Sequence, residues 1–270
     1  MAPAALRLAL ALAALYCACA SPTDASATAT TVPPYVKQCR EDDPHLTQCF
    51  IAALHHVRPF IAKGIPEIEL PPVEPFRLEE LSLALSSGPG GYRVTLRDLD
   101  IFGASNFTVQ RLALGGAGKP FEARILIPQL AIDAKYSSSG VLIILPASGN
   151  GTFHATLGDV NALLRGRAVV EERQGDDGAA GRFLRVQSLA LDLAIKTVRM
   201  RVRKAFNNNR ILTEATNLFL RENGHEVVKA MMPQLRGKLA DVFQQIANGL
   251  LAHVPIDLIL LPAADPSPAA

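Results

Sequence analysis

The sequence predicts an α+β protein: a highly curved antiparallel sheet wrapped around a long C-terminal helix. Three observations lead there. From about Leu78 to Val202, segments of alternating hydrophobicity are separated by short turn signals: GPGG at 88–91, GGAGKP at 115–120, SSSG at 137–140, SGNG at 148–151 and RQGDDGAAG at 173–181. Connections this short join antiparallel neighbours, because parallel strands need a crossover of a dozen or more residues. Several of these strands also change parity partway, which straight strands with one buried face cannot do. Beyond the strands, the apolar positions recur at helical spacing over a stretch too long for a small helix.

The chain opens MAPAALRLALALAALYCACASPTDASATAT. Arg7 precedes an apolar run to about Tyr16, and Ala18-Cys19-Ala20 places small residues before a cleavage point, so residues 1–20 are expected to be a secretory signal peptide. The run is short for a membrane span, and a polar segment follows it. Residues 21–34, small, polar and ending in Pro33-Pro34, read as a flexible leader. Residues 35–262 read as a single domain, and 263–270 as a flexible tail.

Cleavage after Ala20 removes Cys17 and Cys19 and leaves Cys39 and Cys49. An even pair in an oxidising compartment favours a disulfide. Zinc needs more ligands than this stretch offers beside His45, and C-x9-C is not a redox spacing. Closing so short a loop contributes roughly 2.5–3 kcal/mol in the chain-entropy account. The formal charge of +2 falls to 2 − 1 = +1 once Arg7 leaves, so nothing in the balance points to nucleic acid. Tryptophan is absent and aromatic residues make up only 6%, so the large apolar interior must be built from aliphatic side chains.

Asp43-Pro44 reads as a helix start, with Asp43 as N-cap and Pro44 at the first position. Leu46, Cys49, Phe50, Ala53, Leu54, Val57, Phe60 and Ile61 then recur at three and four until Gly64 and Pro66 end the helix. GIPEIELPPVEPF follows as an extended connector. Among the strands, Val94 and Leu96 give way to Leu99 and Ile101 on the other parity, and Phe107 and Val109 to Leu112 and Leu114. In 183–203, Leu189, Leu191, Leu193 and Ile195 alternate, and beyond Lys196-Thr197 the set is Val198, Met200 and Val202. Such shifts call for bulges and bends. The stretch NNNRILTEATNLFLREN predicts a helix with Ile211, Leu212, Ala215, Leu218 and Phe219 inward. After Gly224, Val228, Met231, Leu235, Leu239, Val242, Ile246 and Leu250 continue a repeat near 3.5, with Pro233 expected to kink the rod or start a fresh segment. A rod roughly 40 Å long needs a wrapping partner, and a curved sheet supplies one.

No catalytic constellation stands out: G-x-S-x-G, H-E-x-x-H and a Walker loop are all missing. His55-His56 point to different helix faces and make poor joint ligands for a metal. Asp133, His154 and a nearby serine would make a triad only if the fold brought them together, which the sequence alone does not indicate. Arg199, Arg201 and Arg203 alternate with Val198, Met200 and Val202 and read as the solvated outer face of a strand, although an anionic headgroup or partner would suit them too. Asn106-Phe107-Thr108 and Asn150-Gly151-Thr152 are glycosylation sequons, and Asn150-Gly151 is also a strong hairpin-turn pair. Met231-Met232 could adapt to a ligand.

The run C-x-x-x-D-P-x-L-x-x-C (39–49), R-P-F-x-x-x-G-I-P-E-I (58–68), P-P-V-E-P (71–75), G-A-S-N-F (103–107) and N-x-F-L-x-E-N (217–223) resemble the takeout/juvenile hormone-binding protein family of insects. The resemblance covers about 35–262. It implies a takeout-like, TULIP-related fold with an apolar tunnel between sheet and helix, secretion into haemolymph or another extracellular fluid, a disulfide matching Cys39–Cys49, and carriage of a small hydrophobic ligand without cofactor, catalysis or stable membrane insertion. Circadian, feeding or chemosensory physiology is implied as well, and a receptor is left open. Gly224 stands where family members often carry tryptophan, so a looser entry to the last helix is expected. The C-terminus PIDLILLPAADPSPAA lacks the extra cysteines associated with hormone carriers, which favours a takeout-like member. Ligand-lining candidates on the inferred inward faces are Met231, Met232 and Leu235 from the helix, with Ile125, Ile127, Leu189, Leu191 and Leu193 from strands. Two other functions fit such a fold: a membrane-contacting lipid-transfer protein, favoured by binding to vesicles, and a secreted esterase-like enzyme, favoured by turnover that depends on one serine.

Overall fold

The computed structural model describes residues 32–84, 91–115, 120–142, 145–146, 148–175, 178, 180–203 and 209–263. The signal peptide, most of the leader and most of the tail expected from the sequence lie outside these residues. Residues 34–270 form one unit, to which everything below refers. Its elements are β1 (Cys39–Arg40), α1 (Leu46–Lys63), β2 (Phe76–Ala84), β3 (Arg93–Phe102), β4 (Thr108–Ala113), β5 (Phe121–Ser139), β6 (Val141–Leu142), β7 (Leu145–Pro146), β8 (Gly149–Gln174), β9 (Ala180–Arg203), α2 (Arg210–Ala252), α3 (Ile256–Ile259) and β10 (Leu260–Leu261). The main sheet is antiparallel in the order β2-β3-β5-β8-β9, with β4 also on β5. A disulfide joins Cys39 to Cys49. It ties α1 to β1, and β1 in turn pairs in parallel with β10. Both ends of the domain are thus fastened together.

The helix α1 starts two residues later than its sequence suggests, at Leu46 with His45 as N-cap. Asp43 Oδ1 accepts the His45 N–H at 2.7 Å, and Pro44 lies in the turn so formed. The carboxylate is engaged in this local turn and does not cap the helix. The connector after α1 is not simply extended. Pro66–Ile68 form a 3-10 turn closed by an Ile65–Leu70 bridge, and Ile65, Ile68, Leu70 and Val73 are buried against Ile61. Asn150-Gly151 lie inside β8, opposite Ser137 and Tyr136, and not in a turn. The chain reverses earlier, beyond Gly140 (φ 99°), through the small β6–β7 pair.

The long strands share one transverse crease. On β8 and β5, Ile127 pairs with Val160 and Gln129 with Gly158, so Pro128 and Asp159 fall in an unpaired step. On the next strand Gly158 pairs with Thr197 and Val160 with Ile195, leaving Asp159 opposite Lys196. Asp159 adopts φ 49°, and its carboxylate meets the Lys196 ammonium at 3.4 Å. Across this line the buried parity changes in all three strands: Ile127 gives way to Ala134, Ala155 to Val160, and Leu191 to Val198. The parity shift expected at Lys196-Thr197 is therefore real, and it is a crease through the whole sheet. Those expected in 94–101 and 107–114 are bulges, between Arg97 and Asp100 and between Val109 and Arg111. A further bulge on β9 lies opposite Arg167 and Ala168.

At the edge of β5 the crease becomes an interruption. The chain leaves β3 at Phe102, opposite Ala131, and rejoins the same edge as β4 at Thr108, opposite Leu126. Gly103 in between has φ 90°, and a Cβ there would lie 2.3 Å from the Gln129 carbonyl oxygen. The Glu74 carboxylate accepts the N–H groups of Gly103 (2.8 Å) and Ser105 (2.7 Å). Arg58 donates to the Phe107 carbonyl at 2.6 Å, and His55 Nε2 accepts the Val109 N–H at 2.9 Å. That bond requires a neutral imidazole. Partial burial, helped by the Arg58 charge, holds the His55 pKa below its ordinary 6.5.

The helix α2 runs 43 residues, with one non-helical residue, Asn223 (φ −116°, ψ 17°). The break is there and not at Pro233. Lys229 and Pro233 are both exposed, so the carbonyl that proline leaves without a donor can be hydrated. The break meets the crease: His225 Nε2 bonds the Lys196 carbonyl at 3.0 Å, and a Cβ on Gly224 would lie 3.3 Å from Val198 Cγ1. Gly224 is buried, so the entry to this segment is tight, where the missing tryptophan suggested looseness.

Side-chain amides of α2 complete the free edge of β9. Asn217 accepts the Val202 N–H (2.7 Å) and donates to its carbonyl (3.0 Å); Asn248 does the same at Val186 (2.8 and 3.1 Å). Gln244 donates to the Val186 and Gln187 carbonyls. At the opposite edge Gln234 pairs with the N–H and carbonyl of Ala84 on β2. One helix thus borders both edges of a sheet that does not close on itself. These amides set the helix rotation. With Asn217 turned to β9, Ile211, Leu212, Ala215 and Leu218 are exposed, and Leu220 and Val227 are buried with Phe219 against them.

Two expectations follow. Asn217→Ala and Asn248→Ala each leave strand groups unpaired, so each is expected to lower stability by about 1–3 kcal/mol. The sites lie some 45 Å apart along the helix, so urea unfolding of the double variant should show additive losses. His55, with its folded pKa below its unfolded one, contributes stability that is present above about pH 6.5 and lost as pH falls through the depressed value. The urea midpoint should therefore fall from about pH 7.5 to about pH 5.5 by more in the wild type than in His55→Gln.

Candidate functional site

The space between α2 and the sheet is filled by apolar groups of different make-up along its length. At one end, Leu81, Leu83, Val94, Leu99, Leu220 and Val227 are buried around two tyrosines, Tyr92 and Tyr136. Burial, followed by the proximity of Tyr92, pushes the Tyr136 pKa up to about 12. Burial also raises that of Tyr92. Both phenols therefore stay neutral and bring hydroxyl groups into an aliphatic interior. Near the middle, Leu191 packs with Ala162 and Ala240. At the other end the connector residues Ile65, Ile68 and Leu70 meet Ile246 and Leu250 of α2.

The residues expected to line a ligand site divide among these groups. Leu191, buried, and Ile125 and Leu193, partly buried, belong to the middle cluster with Leu164 and Leu239. Met231 and Leu235 pack on the tyrosine end. Ile127 is buried and Leu189 half-buried, and neither belongs to these clusters. Met232 lies apart from Met231. Together with Leu193, Ile195, Val198 and Val228 it lines a cleft of about 430 Å3 between α2 and β9. His225, Glu226, Lys229 and Arg236 stand at its polar side, and Arg236 is held by Asp192 at 3.1 Å. The cleft opens where the helix break meets the crease, because neither partner can follow the other straight through that point.

Sequence reasoning did not identify Tyr92, Tyr136 or the connector residues. The tyrosines carry a usable signal, since Val94, Tyr136 and Tyr92 all fall on inward parity. The connector carried only its motif. Its apolar residues have no regular period, so only tertiary contact reveals their burial.

Other chemistry finds no assembled centre. Asp133 and His154 are hydrogen-bonded across β5 and β8, but the ladder neighbours of His154 are Asp133 and Arg201, with no serine opposite among the described residues. His55 and His56 go to different partners, the Val109 N–H and the Pro34 carbonyl. Among the described residues no three His, Cys, Asp or Glu side chains are gathered as metal ligands, and no helix is long and apolar enough to cross a membrane. Asn106 and Asn150 are both exposed.

The family model for haemolymph juvenile hormone binding protein matches residues 11–261. Two relatives are described as circadian clock-controlled protein daywake, from Drosophila melanogaster (24% identical) and Drosophila yakuba (23%). Each aligns over 234 residues, 83% of this chain and 86% of the relative. Among solved structures, takeout 1 of Epiphyas postvittana superposes with a TM-score of 0.70 at 19% identity, over 84% of this chain and 100% of that one. At that identity the likeness speaks for the fold, and it agrees with the wrapped sheet and long helix. The family match spans nearly the whole chain, and the chain belongs to the takeout/haemolymph juvenile hormone binding protein family.

Proposed function

We propose that this protein is a secreted, non-enzymatic carrier of one small, mostly apolar molecule: a juvenile hormone-like terpenoid, a fatty acid-like lipid or a semiochemical. The observation that carries this reading is the apolar cleft at the helix break, continuous in sequence and packing with the aliphatic middle of the domain. Its volume of about 430 Å3 suits a small ligand. Family membership supports the same reading. The clock-controlled description of the daywake relatives favours a role in circadian, feeding or chemosensory physiology.

The magnitudes assign the roles. Burying about 300 Å2 of apolar ligand surface contributes about 7–8 kcal/mol before ordering costs. A single hydrogen bond contributes about 1 kcal/mol net. Affinity therefore comes from Leu193, Met232, Ile195, Val198 and Val228 of the cleft, backed by Ile125 and Leu191 of the middle cluster. A polar group at the rim, such as His225, orients the ligand more than it holds it. Carriage needs no chemical step. The signal peptide expected over residues 1–20 supports secretion, and glycans on the exposed Asn106 and Asn150 would fit that route.

The binding test is displacement of a fluorescent apolar probe, with circular dichroism to confirm folding. Leu193→Arg, in the open cleft, is expected to fold and to bind the probe at least tenfold more weakly, since the long charged side chain would replace apolar contact surface and occupy the cleft. Leu191→Met keeps volume and should bind and fold as wild type. Leu191→Arg, in the packed middle, should fail to fold or fail to bind. A wild-type protein that binds neither the probe nor any component of a native lipid extract is incompatible with a carrier. Secretion is read separately: protein from insect-cell medium should begin at or just after Ser21 and shift in mobility on treatment with an N-glycosidase.

A further inference from the structure

A second groove, of about 870 Å3, runs along the free edge of β9 on the other side of the helix break. Val198 and Met200 contribute its apolar part, Arg199 and Arg201 one rim, and Leu218 and Arg221 of α2 the other. Glu214 is the one carboxylate in its lining, so three arginines leave two positive charges in excess. Across the ladder, Arg199 faces Thr156, Arg201 faces His154 and Arg203 faces Thr152, with no carboxylate opposite any of them. Asp133, beyond His154 in the same row of the sheet, is bonded to His154. Arg221 has Glu222 beside it at 3.3 Å, a pair exposed to solvent and weak for that reason.

Beside this basic rim stand apolar side chains that the fold leaves uncovered. Ile211 is 81% exposed and Leu218 52%. Seven residues apart on a helix, they lie on one face, two turns from each other. Their exposure follows from the Asn217 pairing with Val202, which fixes the helix rotation.

We infer that this face docks on an anionic lipid membrane, with Arg199, Arg201 and Arg221 at the headgroups and Ile211 and Leu218 entering the interface. Charge complementarity favours an anionic partner, and the shape favours a lipid surface over an acidic protein. A side chain four-fifths exposed on a convex helix needs a deep shaped pocket on a folded partner, whereas a fluid interface receives it without one. The association is peripheral and reversible: each arginine near such a surface strengthens binding by about fivefold, and salt screens that gain. Val198 lines both this groove and the cleft, so docking brings the cleft to the membrane surface. That last consequence, loading or release of cargo at a membrane, rests on the carrier reading; the docking itself does not.

The test is co-sedimentation of the secreted full chain with vesicles of phosphatidylcholine alone or with added phosphatidylserine, at low and high salt. Binding is expected only with phosphatidylserine and should weaken as salt rises. Arg199→Gln/Arg201→Gln should bind about 25-fold more weakly. Ile211→Ser/Leu218→Ser should also weaken binding while keeping its salt dependence. Circular dichroism and probe displacement in solution should be unchanged in both variants. Equal binding to both vesicle types overturns the proposal, as does wild-type binding by folded variants. Absence of vesicle binding overturns it too, and retention on an acidic peptide resin would then assign the face to a protein partner. Docking without probe binding would sink the carrier reading alone, and probe binding without docking would sink the membrane inference alone.

Discussion

The crease through Pro128, Asp159 and Lys196 is the constraint on which the rest of the structure depends. Strands of 26 and 24 residues, such as β8 and β9, would each span about 80 Å if straight. A helix packed on one face of such strands would lose contact with both ends. Bending the sheet restores contact, but the bend rotates the pleat, so the residues that face inward must change parity at that line. They do so together in β5, β8 and β9. The backbone pays locally, with Asp159 in the left-handed region and Gly158 approaching Thr197 closely.

The crease also organises its neighbours. The short motifs 58–60, 71–75 and 103–107 meet where the crease reaches the β5 edge. Arg58 holds Phe107, and Glu74 caps the backbone of Gly103 and Ser105. At the other end, the last residue of the 217–223 motif is Asn223, the break in α2, and Gly224 and His225 seat that break against Val198 and Lys196. Helix and sheet bend at the same place, which keeps their apolar faces in register on both sides.

An open sheet carries a cost that a closed barrel avoids, since its edge strands present unpaired N–H and carbonyl groups. Here α2 supplies carboxamides that act as fragments of a neighbouring strand, on β9 through Asn217, Gln244 and Asn248 and on β2 through Gln234. These bonds are directional, so they fix the rotation and axial position of the helix more tightly than aliphatic packing does. Two surfaces follow from that fixed position. One is the apolar cleft at the break, and the other is the basic groove with its uncovered Ile211 and Leu218.

The sequence by itself determined the antiparallel character of the sheet, the long terminal helix and the disulfide partners, because these follow from local periodicity, turn residues and the two cysteines that lie beyond the expected signal peptide. It also located the parity changes, including the one at Lys196-Thr197, since an alternating pattern records its own interruption. What only the tertiary structure decided was their alignment into one crease, which depends on register between strands distant in sequence. The same holds for the rotation of α2. Apolar spacing placed Ile211 and Leu218 inward, but the strand edge at Val202 demands Asn217, and an unsatisfied buried backbone group outweighs the exposure of a leucine. The break at Asn223 was equally hidden, because it answers to Val198 across the interface and not to the proline ten residues on. Among the expected lining residues, Leu193 and Met232 come to one cleft while Met231 turns to another cluster, since adjacent helical residues differ by about 100° and only the packed partner decides which direction is inward.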